Sequence, residues 1–371
     1  MRILSLCPSE VTNMGGVRKN ITRITEELSS RGHECTVLCL SNADLPKEDV
    51  LNGVRIIRLR SPVSVTLLGF APDLIGLMNT VIDNIKPDVI HVHEYRSLFT
   101  PEFMWFVRRA SIPIVFSPHY DRTGYNTFAG KYLFGVYKRL SKFVFNVSDC
   151  IIVNSYYTKQ IIQEDFHISD DKLLVVPHGV DVLVKKEDVR RTDDMVISLI
   201  YVGVITELKG VHFILPALSL LKKRGYKVSL TIVGDGPYKE IIQEHSKCLG
   251  VEPDLRWLGP KYGSELRRLI SSHNILLLLS RGESYGIVVA EALALGTPCI
   301  VSRSTALIEF LDEPGCFGVN NASDAEELAN VILYSSDCCV KVGPFSKKIR
   351  LWSDVTLDYE SRYQELTCSK C

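Results

Sequence analysis

Two glutamates with seven residues between them carry the chemistry most readily read in this chain. They lie in Ser280-Arg281-Gly282-Glu283-Ser284-Tyr285-Gly286-Ile287-Val288-Val289-Ala290-Glu291-Ala292-Leu293. An apolar run, Asn274 to Leu279, precedes this segment, and a second, Pro298 to Ser302, follows it. Length and composition predict strand, short loop, helix and strand, with the helix starting near Ser284 as its N-cap. The unpaired N–H groups of such a helix's first turn suit a phosphate. Glu283 is then expected in the loop mouth and Glu291 about two turns into the helix, since eight residues advance a helix by roughly two turns plus ~80°. Carboxylates so spaced can flank one elongated ligand, one accepting hydrogen bonds from a sugar and the other from a ribose diol. The plain alternative is two solvated glutamates on an ordinary helix.

Other residues at expected strand ends could serve the same ligand. Tyr201-Val202-Gly203 closes a strand and Lys209-Gly210 opens a helix, which suits Lys209 to meet a phosphate as a point charge. Val233-Gly234-Asp235-Gly236-Pro237 is a turn that needs glycine dihedrals. Asn13-Met14-Gly15-Gly16-Val17 stands at a strand-to-helix turn, where paired glycines make a tight turn or let a ligand approach the backbone. His119 follows a strand directly in Phe116-Ser117-Pro118-His119-Tyr120-Asp121 and is expected to face a ligand cleft; a structural and a functional role are both open. His91 and His93 alternate on one strand and share a face. With no third metal ligand in view they read as polar strand-end histidines.

The elements that must position these groups alternate between β-rich runs and helical patterns. Candidate strands are Arg2–Cys7, Glu34–Leu40, Val54–Leu59, Asp88–His93, Pro113–Ser117, Cys150–Asn154 and Leu173–Val176. A second series is Val196–Gly203, Lys227–Val233, Asp254–Leu258, Asn274–Leu279 and Pro298–Ser302. Such alternation predicts an α/β protein with parallel sheets covered by helices on both faces. Lys185 to Asp194, charged and nearly without apolar residues, reads as the linker between two Rossmann-like domains, 1–182 and 195–352, with a cleft between them. Ligands of such sheets bind beyond the carboxyl ends of the strands.

Composition narrows the function. A chain of 371 residues suits about two domains. With 43 basic and 43 acidic residues the formal net charge is +0, so no global field draws nucleic acid. No apolar run approaches the ~20 residues of a membrane span, and Met1 to Cys7 reads as a first strand rather than a signal peptide. Of 11 cysteines, Cys7, Cys35, Cys39, Cys150 and Cys299 fall in apolar runs, which suits reduced thiols in a cytoplasmic protein. Cys338-Cys339 and Cys368…Cys371 lack a second pair at a zinc spacing, so no metal is expected there.

Taken in order, Gly15-Gly16 with Arg31-Gly32-His33-Glu34, Val175-Val176-Pro177-His178-Gly179-Val180-Asp181, Gly203 with Lys209-Gly210, Val233 to Pro237 and the Glu283–Glu291 pair with Ala292 to Pro298 resemble the GT-B retaining glycosyltransferases of family 4 over nearly the whole chain. The resemblance implies transfer of a sugar from a nucleotide diphosphate donor to an acceptor hydroxyl with the anomeric configuration kept. It implies a C-terminal helix, 353–371, packing back on the N-terminal domain. Glu291 would hold ribose hydroxyls and Glu283 those of the transferred sugar. Lys209, with backbone amides around Ser284, Tyr285, Gly286 and Ile287, would stabilise the diphosphate. Gly15, Gly16 and Gly203 would let donor and acceptor approach, and His119 would contact the donor sugar. No cofactor or metal is implied, because the helix terminus and basic side chains supply the electrostatic work.

Three positions depart from the family pattern. Val204 stands where an arginine usually follows the glycine, Ser304-Thr305 where a glycine pair is common, and Arg18 where an acidic residue often follows the first glycines. Val204 keeps open a catalytically weak nucleotide-sugar-binding subunit that supports a partner glycosyltransferase; a nucleotide-sugar epimerase is a third reading. The acceptor has one hint. In 131–144, Leu133, Tyr137, Leu140 and Val144 recur at helical spacing beside Lys131, Lys138, Arg139 and Lys142. That pattern suits an interfacial helix on anionic lipid at the inner face of the cell membrane, with a glycan or lipid-linked sugar as acceptor, or an ordinary amphipathic helix packed on its own sheet.

Overall fold

Apolar runs of four to eight residues, separated by amphipathic helices, build two sheets in the computed structural model. It describes residues 1–11, 15–41, 45–60, 81–108, 110–122, 128–181, 196–337 and 348–370, with backbone only at 128–137, 337 and 370. The expected linker, Lys185 to Asp194, and Cys338-Cys339 lie outside these residues. The chain divides into two compact units: Met1–Gly179 with Trp352–Cys371, and Val180–Leu351.

The first unit holds β1 (Arg2–Cys7), β2 (Glu34–Ser41), β3 (Glu48–Leu51), β4 (Val54–Arg60), β5 (Val89–His93), β6 (Ile114–Ser117), β7 (Cys150–Val153) and β8 (Leu173–Val175). Their order is β3-β4-β2-β1-β5-β6-β7-β8. All pair in parallel except β3, which forms an antiparallel hairpin with β4. This corrects the wholly parallel expectation. The hairpin turns through Asn52 and Gly53, both at positive φ (49° and 82°), the conformation that Asn-Gly turns favour. Helix α1 (Gly16–Ser30) presents Ile21, Ile24 and Leu28 inward, at i, i+3 and i+7. Helices α2 (Phe99–Val107), α3 (Phe128–Val147) and α4 (Tyr156–Phe166) follow. A last helix, α10 in chain order (Trp352–Lys370), belongs to this unit. It buries Tyr359 and Tyr363, pairs Glu360 with His33 at 2.9 Å, and accepts at the Ser353 carbonyl from Arg31 at 3.0 Å.

The second unit has β9 (Val196–Val202), β10 (Lys227–Val233), β11 (Leu255–Gly259), β12 (Ile275–Leu278), β13 (Cys299–Ser302) and β14 (Cys316–Val319). Their order is β11-β10-β9-β12-β13-β14, all parallel. Helices α5 (Val211–Lys223), α6 (Lys239–Cys248), α7 (Gly263–Ser271), α8 (Ile287–Ala294) and α9 (Ala325–Asp337) connect or cover the strands. In each sheet the chain reverses direction of growth once, between β1 and β5 and between β9 and β12. Ligands of doubly wound sheets bind beyond the carboxyl ends of the strands at such reversals.

Six of the eight described cysteines are buried, and all eight are free thiols. Among the described residues no helix is long and apolar enough to cross a membrane.

Candidate functional site

In the second unit, the loop after β9 and the loop after β12 meet at the sheet's reversal. Lys209 ends a short 3₁₀ turn, Glu207–Lys209, and its Nζ pairs with Glu283 Oε1. Both side chains are largely covered, at 28% and 15% exposure. The two loops are sewn together by backbone: Arg281 N–H donates to the Leu208 carbonyl at 2.8 Å, and Ser280 Oγ donates to the same oxygen at 3.2 Å. Gly210, at φ 73°, lies against the Leu279 carbonyl where a Cβ has no room. Gly203 N–H donates to the Val233 carbonyl at 3.0 Å, and a Cβ on Gly234 would overlap the Gly203 carbonyl. Glycine is therefore demanded by close backbone approach at both 210 and 234.

The expected helix start is corrected. Helix α8 begins at Ile287, and its cap is Gly286 at φ 98°, with no side-chain cap. Ser284 is not the N-cap, because the chain must first bury Tyr285. That ring packs on Phe310 at 5.2 Å and its hydroxyl donates to the Lys348 carbonyl at 3.0 Å. Tyr285 thus offers the site only its backbone. Val289 and Ala290 donate to the Gly286 carbonyl at 2.9 and 3.4 Å, so the N–H groups of Gly286, Ile287 and Val288 stand ahead of the helical ladder. Glu291 is half-buried and is the fifth residue of α8, a little more than one turn in rather than two.

The departures have different outcomes. Val204 is 58% exposed, with its carbonyl held by the Tyr201 hydroxyl at 3.0 Å. Arg281, a cation of the loop after β12, pairs with Glu207 at 3.0 Å and lies over the Phe213 ring at 5.5 Å. Thr305 sits at φ 60°, a left-handed conformation rare for a β-branched residue. The backbone shape a glycine would take is kept without the glycine.

In the first unit the reversal is flanked by Gly15-Gly16 and by the ends of β5 and β6. A Cβ on Gly16 would meet nothing within 4 Å, and one on Gly15 only Arg18 Nη1 at 3.6 Å. No protein contact demands glycine at either position; Asn13 and Met14 lie outside the described residues. His119 stands at φ 48° just past β6, its Nδ1 3.4 Å from Asn154 Nδ2. Its Nε2 is shielded from solvent and has no hydrogen-bond partner among the described residues. The ring is one of a row: His91–His93 centroids are 3.9 Å apart, His93–His119 5.9 Å and His119–His178 6.1 Å. Burial lowers the imidazole of His119 to about 4 and that of His91 to about 3, and pushes His93 and His178 well below their ordinary value. His91 is hydrogen-bonded to Ser117 Oγ (2.8 Å) and Tyr363 Oη (2.6 Å), a structural role rather than a ligand's.

Sequence reasoning missed two neighbours. Glu94, at φ 66° after β5, is buried enough that its carboxyl is raised, with Arg18 and Arg96 acting against the shift. Its place after a strand at the reversal was the available signal. Asn20, whose amide Nδ2 contacts His178 Nδ1, had none.

The family described as Glycosyltransferase Family 4 matches residues 14–182, and that described as Glycosyl transferases group 1 matches 184–337. The chain belongs to the family 4, group 1 glycosyltransferases. An uncharacterised glycosyltransferase of Methanocaldococcus jannaschii is 27% identical over 80% of this chain and 79% of its own. The sucrose-phosphate synthase of Thermosynechococcus elongatus superposes with a TM-score of 0.83 at 17% identity, covering 100% of both chains. Anabaena HepE in complex with UDP-glucose gives 0.66 at 15%, covering 99% of this chain and 98% of that one. The glycosyltransferase fold is GT-B, two parallel-sheet α/β domains. Lys209, Glu283, Gly203, Ser284 to Ile287 and Glu291 fall in the second unit of this glycosyltransferase; Gly15, Gly16 and His119 fall in the first.

Proposed function

We propose that this glycosyltransferase moves a sugar from a nucleoside diphosphate sugar to an acceptor hydroxyl on a glycan or lipid-linked sugar, with retention and without a metal ion. The observation that carries the reading is the Lys209–Glu283 pair at the second sheet's reversal, beside the first N–H groups of α8, which stand ahead of its helical ladder. A cation and a helix N-terminus together suit a diphosphate. In this reading Lys209 and the amides of Ser284, Tyr285, Gly286 and Ile287 take the diphosphate, and Glu283 turns to the hydroxyls of the sugar. Glu291 takes the ribose diol.

Gly15 and Gly16 leave room for the reacting groups, which accords with the open space among the described residues where a Gly16 side chain would be. His119, neutral near pH 7, offers its unpartnered Nε2 to the donor sugar. The acceptor oxygen bonds to the anomeric carbon as the carbon–oxygen bond to the diphosphate breaks. The acceptor's proton passes to the leaving phosphate oxygen on the same face, so no protein nucleophile is required. Preorganised donors on that oxygen supply the transition-state stabilisation.

HepE's complex with UDP-glucose supports the donor class. Thermal unfolding against a panel of nucleoside diphosphates and their sugars tests it, with Glu291→Ala alongside. A donor at 100 times its dissociation constant adds about 2.7 kcal/mol. A shift with one nucleotide class, lost in Glu291→Ala, is expected; no shift with any nucleotide refutes the reading. Val204 favours a second reading, a donor-binding subunit of low activity. Donor binding without turnover on any acceptor would support that one instead.

A further inference from the structure

We infer that the face formed by Trp105, Arg108, Arg139, Leu140, Lys142 and Phe143 docks the protein onto an anionic lipid surface. The whole chain is charge-balanced, yet residues 103–148 contain seven basic residues and one acid, Asp121. Asp121 is engaged by Arg96. Of the cations, Arg122 and Lys138 are drawn to Glu164 and Asp165. Among the described residues, Arg108, Arg139 and Lys142 have no carboxylate partner.

Arg108 lies against apolar groups of this face, and Arg139 and Lys142 neighbour Leu140 and Phe143 along α3. Trp105, on α2, is 49% exposed, and Leu140, on α3, 37%. The Arg108 guanidinium carbon lies 4.9 Å from the Trp105 ring centre and 5.7 Å from that of Phe143, so it bridges the two helices. Arg139, Leu140, Lys142 and Phe143 flank that contact on α3. The exposed side is not the stripe the sequence suggests: Val144 is buried at 2%, and the side chains of Leu133 and Tyr137 lie outside the described residues. The preceding helix supplies the tryptophan that the sequence pattern alone did not connect with this face.

An indole with a cation over its face, an exposed leucine and long basic stems around them match the layering of a bilayer interface. Apolar groups enter the acyl boundary, the indole sits at headgroup level, and Lys and Arg reach the phosphates. A nucleic acid offers phosphates without the apolar layer beneath, which leaves Trp105 and Leu140 unexplained. The inference does not depend on the acceptor: loss of docking with intact transfer to a soluble acceptor would overturn docking alone, and loss of donor binding would overturn the function alone.

Cosedimentation of the full chain with phosphatidylglycerol vesicles and with phosphatidylcholine vesicles decides the matter. Binding to phosphatidylglycerol alone, weakened by salt, is expected. Arg139→Gln with Lys142→Gln should weaken it about 25-fold, about five-fold for each cation removed. Trp105→Ala should weaken it while leaving thermal unfolding unchanged. Binding to neither lipid, equal binding to both, capture by duplex RNA in place of vesicles, or variants that bind phosphatidylglycerol like the parent would each overturn the proposal.

Discussion

The Lys209–Glu283 pair allows a quantitative test of how the second unit's site works. Both side chains are largely covered, so Lys209→Met leaves the Glu283 carboxylate, 15% exposed, without its cation. A hydrogen bond to a charged group contributes about 1.5–3 kcal/mol, and in a unit of this size each kcal/mol moves the unfolding temperature by about 2–4 °C. Lys209→Met should therefore lower the unfolding temperature of the unliganded protein by about 4–8 °C at a cost near 2 kcal/mol. Glu283→Gln should cost less, because a neutral amide still bonds to the ammonium. The double variant should regain most of the loss, giving a coupling of about 1–2 kcal/mol in a double-mutant cycle. If donor binding exchanges each partner for a phosphate and a sugar hydroxyl, saturating nucleoside diphosphate should shrink that coupling. Denaturant unfolding of the four proteins, with and without nucleotide, gives all the terms. Coupling below about 0.5 kcal/mol, or coupling that nucleotide leaves unchanged, refutes the reasoning.

Two further outcomes are expected. Val204→Arg should raise turnover, by up to the about 10²–10³ that one oxyanion-type donor is worth; a steady-state assay with the identified donor reads it, and unchanged kcat would show that Val204 is not a deficit. The histidine row should make stability fall with acid. Its folded pKa values are lowered, so between the unfolded value of 6.5 and the folded value of about 3 for His91 the unfolded chain binds more protons. Stability is full above pH 6.5 and is lost as pH falls through that window, by about 2 kcal/mol at pH 5.0 for His91 alone. Glu94, with its carboxyl raised, works in the opposite sense. The readout is therefore the difference between the parent and His91→Gln in urea unfolding at pH 7.5 and 5.0, and equal pH dependence of the two would refute it.

What the sequence showed and what it hid follow from how local each signal is. Arg2–Cys7 and Lys227–Val233 have the same bounds in sequence and structure, since buried parallel strands read as unbroken apolar runs. The short strand Glu48–Leu51 escaped notice because its residues are acidic or exposed, although Asn52-Gly53 beside it was a legible hairpin signal. Cys316–Val319 sits between Gly315 and Asn320 with Gly318 inside, and so reads as a turn. The serine before the key helix looked like a cap because capping patterns are local; burial of Tyr285 against Phe310 overrode it. The histidine row draws on β5, the loop after β6 and the segment leaving β8, and no spacing in the sequence announces it.

The two substitutions at expected family positions differ because a backbone role and a charge role are replaced by different means. Thr305 holds the left-handed backbone that glycine would hold, at a strain cost of order 1–3 kcal/mol. Shape survives there because main-chain groups, not the side chain, make it. A missing guanidinium can be replaced only by another cation that is free to reach the same place. Arg281 is committed to Glu207 and Phe213, and Arg303 lies across Gly318, where a Cβ would meet its Nε at 2.7 Å. Lys209 is the cation placed between these two loops, and in the unliganded protein it is already matched by Glu283. Donor binding must exchange one anion for another around a single ammonium. Affinity and rate should therefore both pass through Lys209, and removing it should weaken donor binding and turnover together.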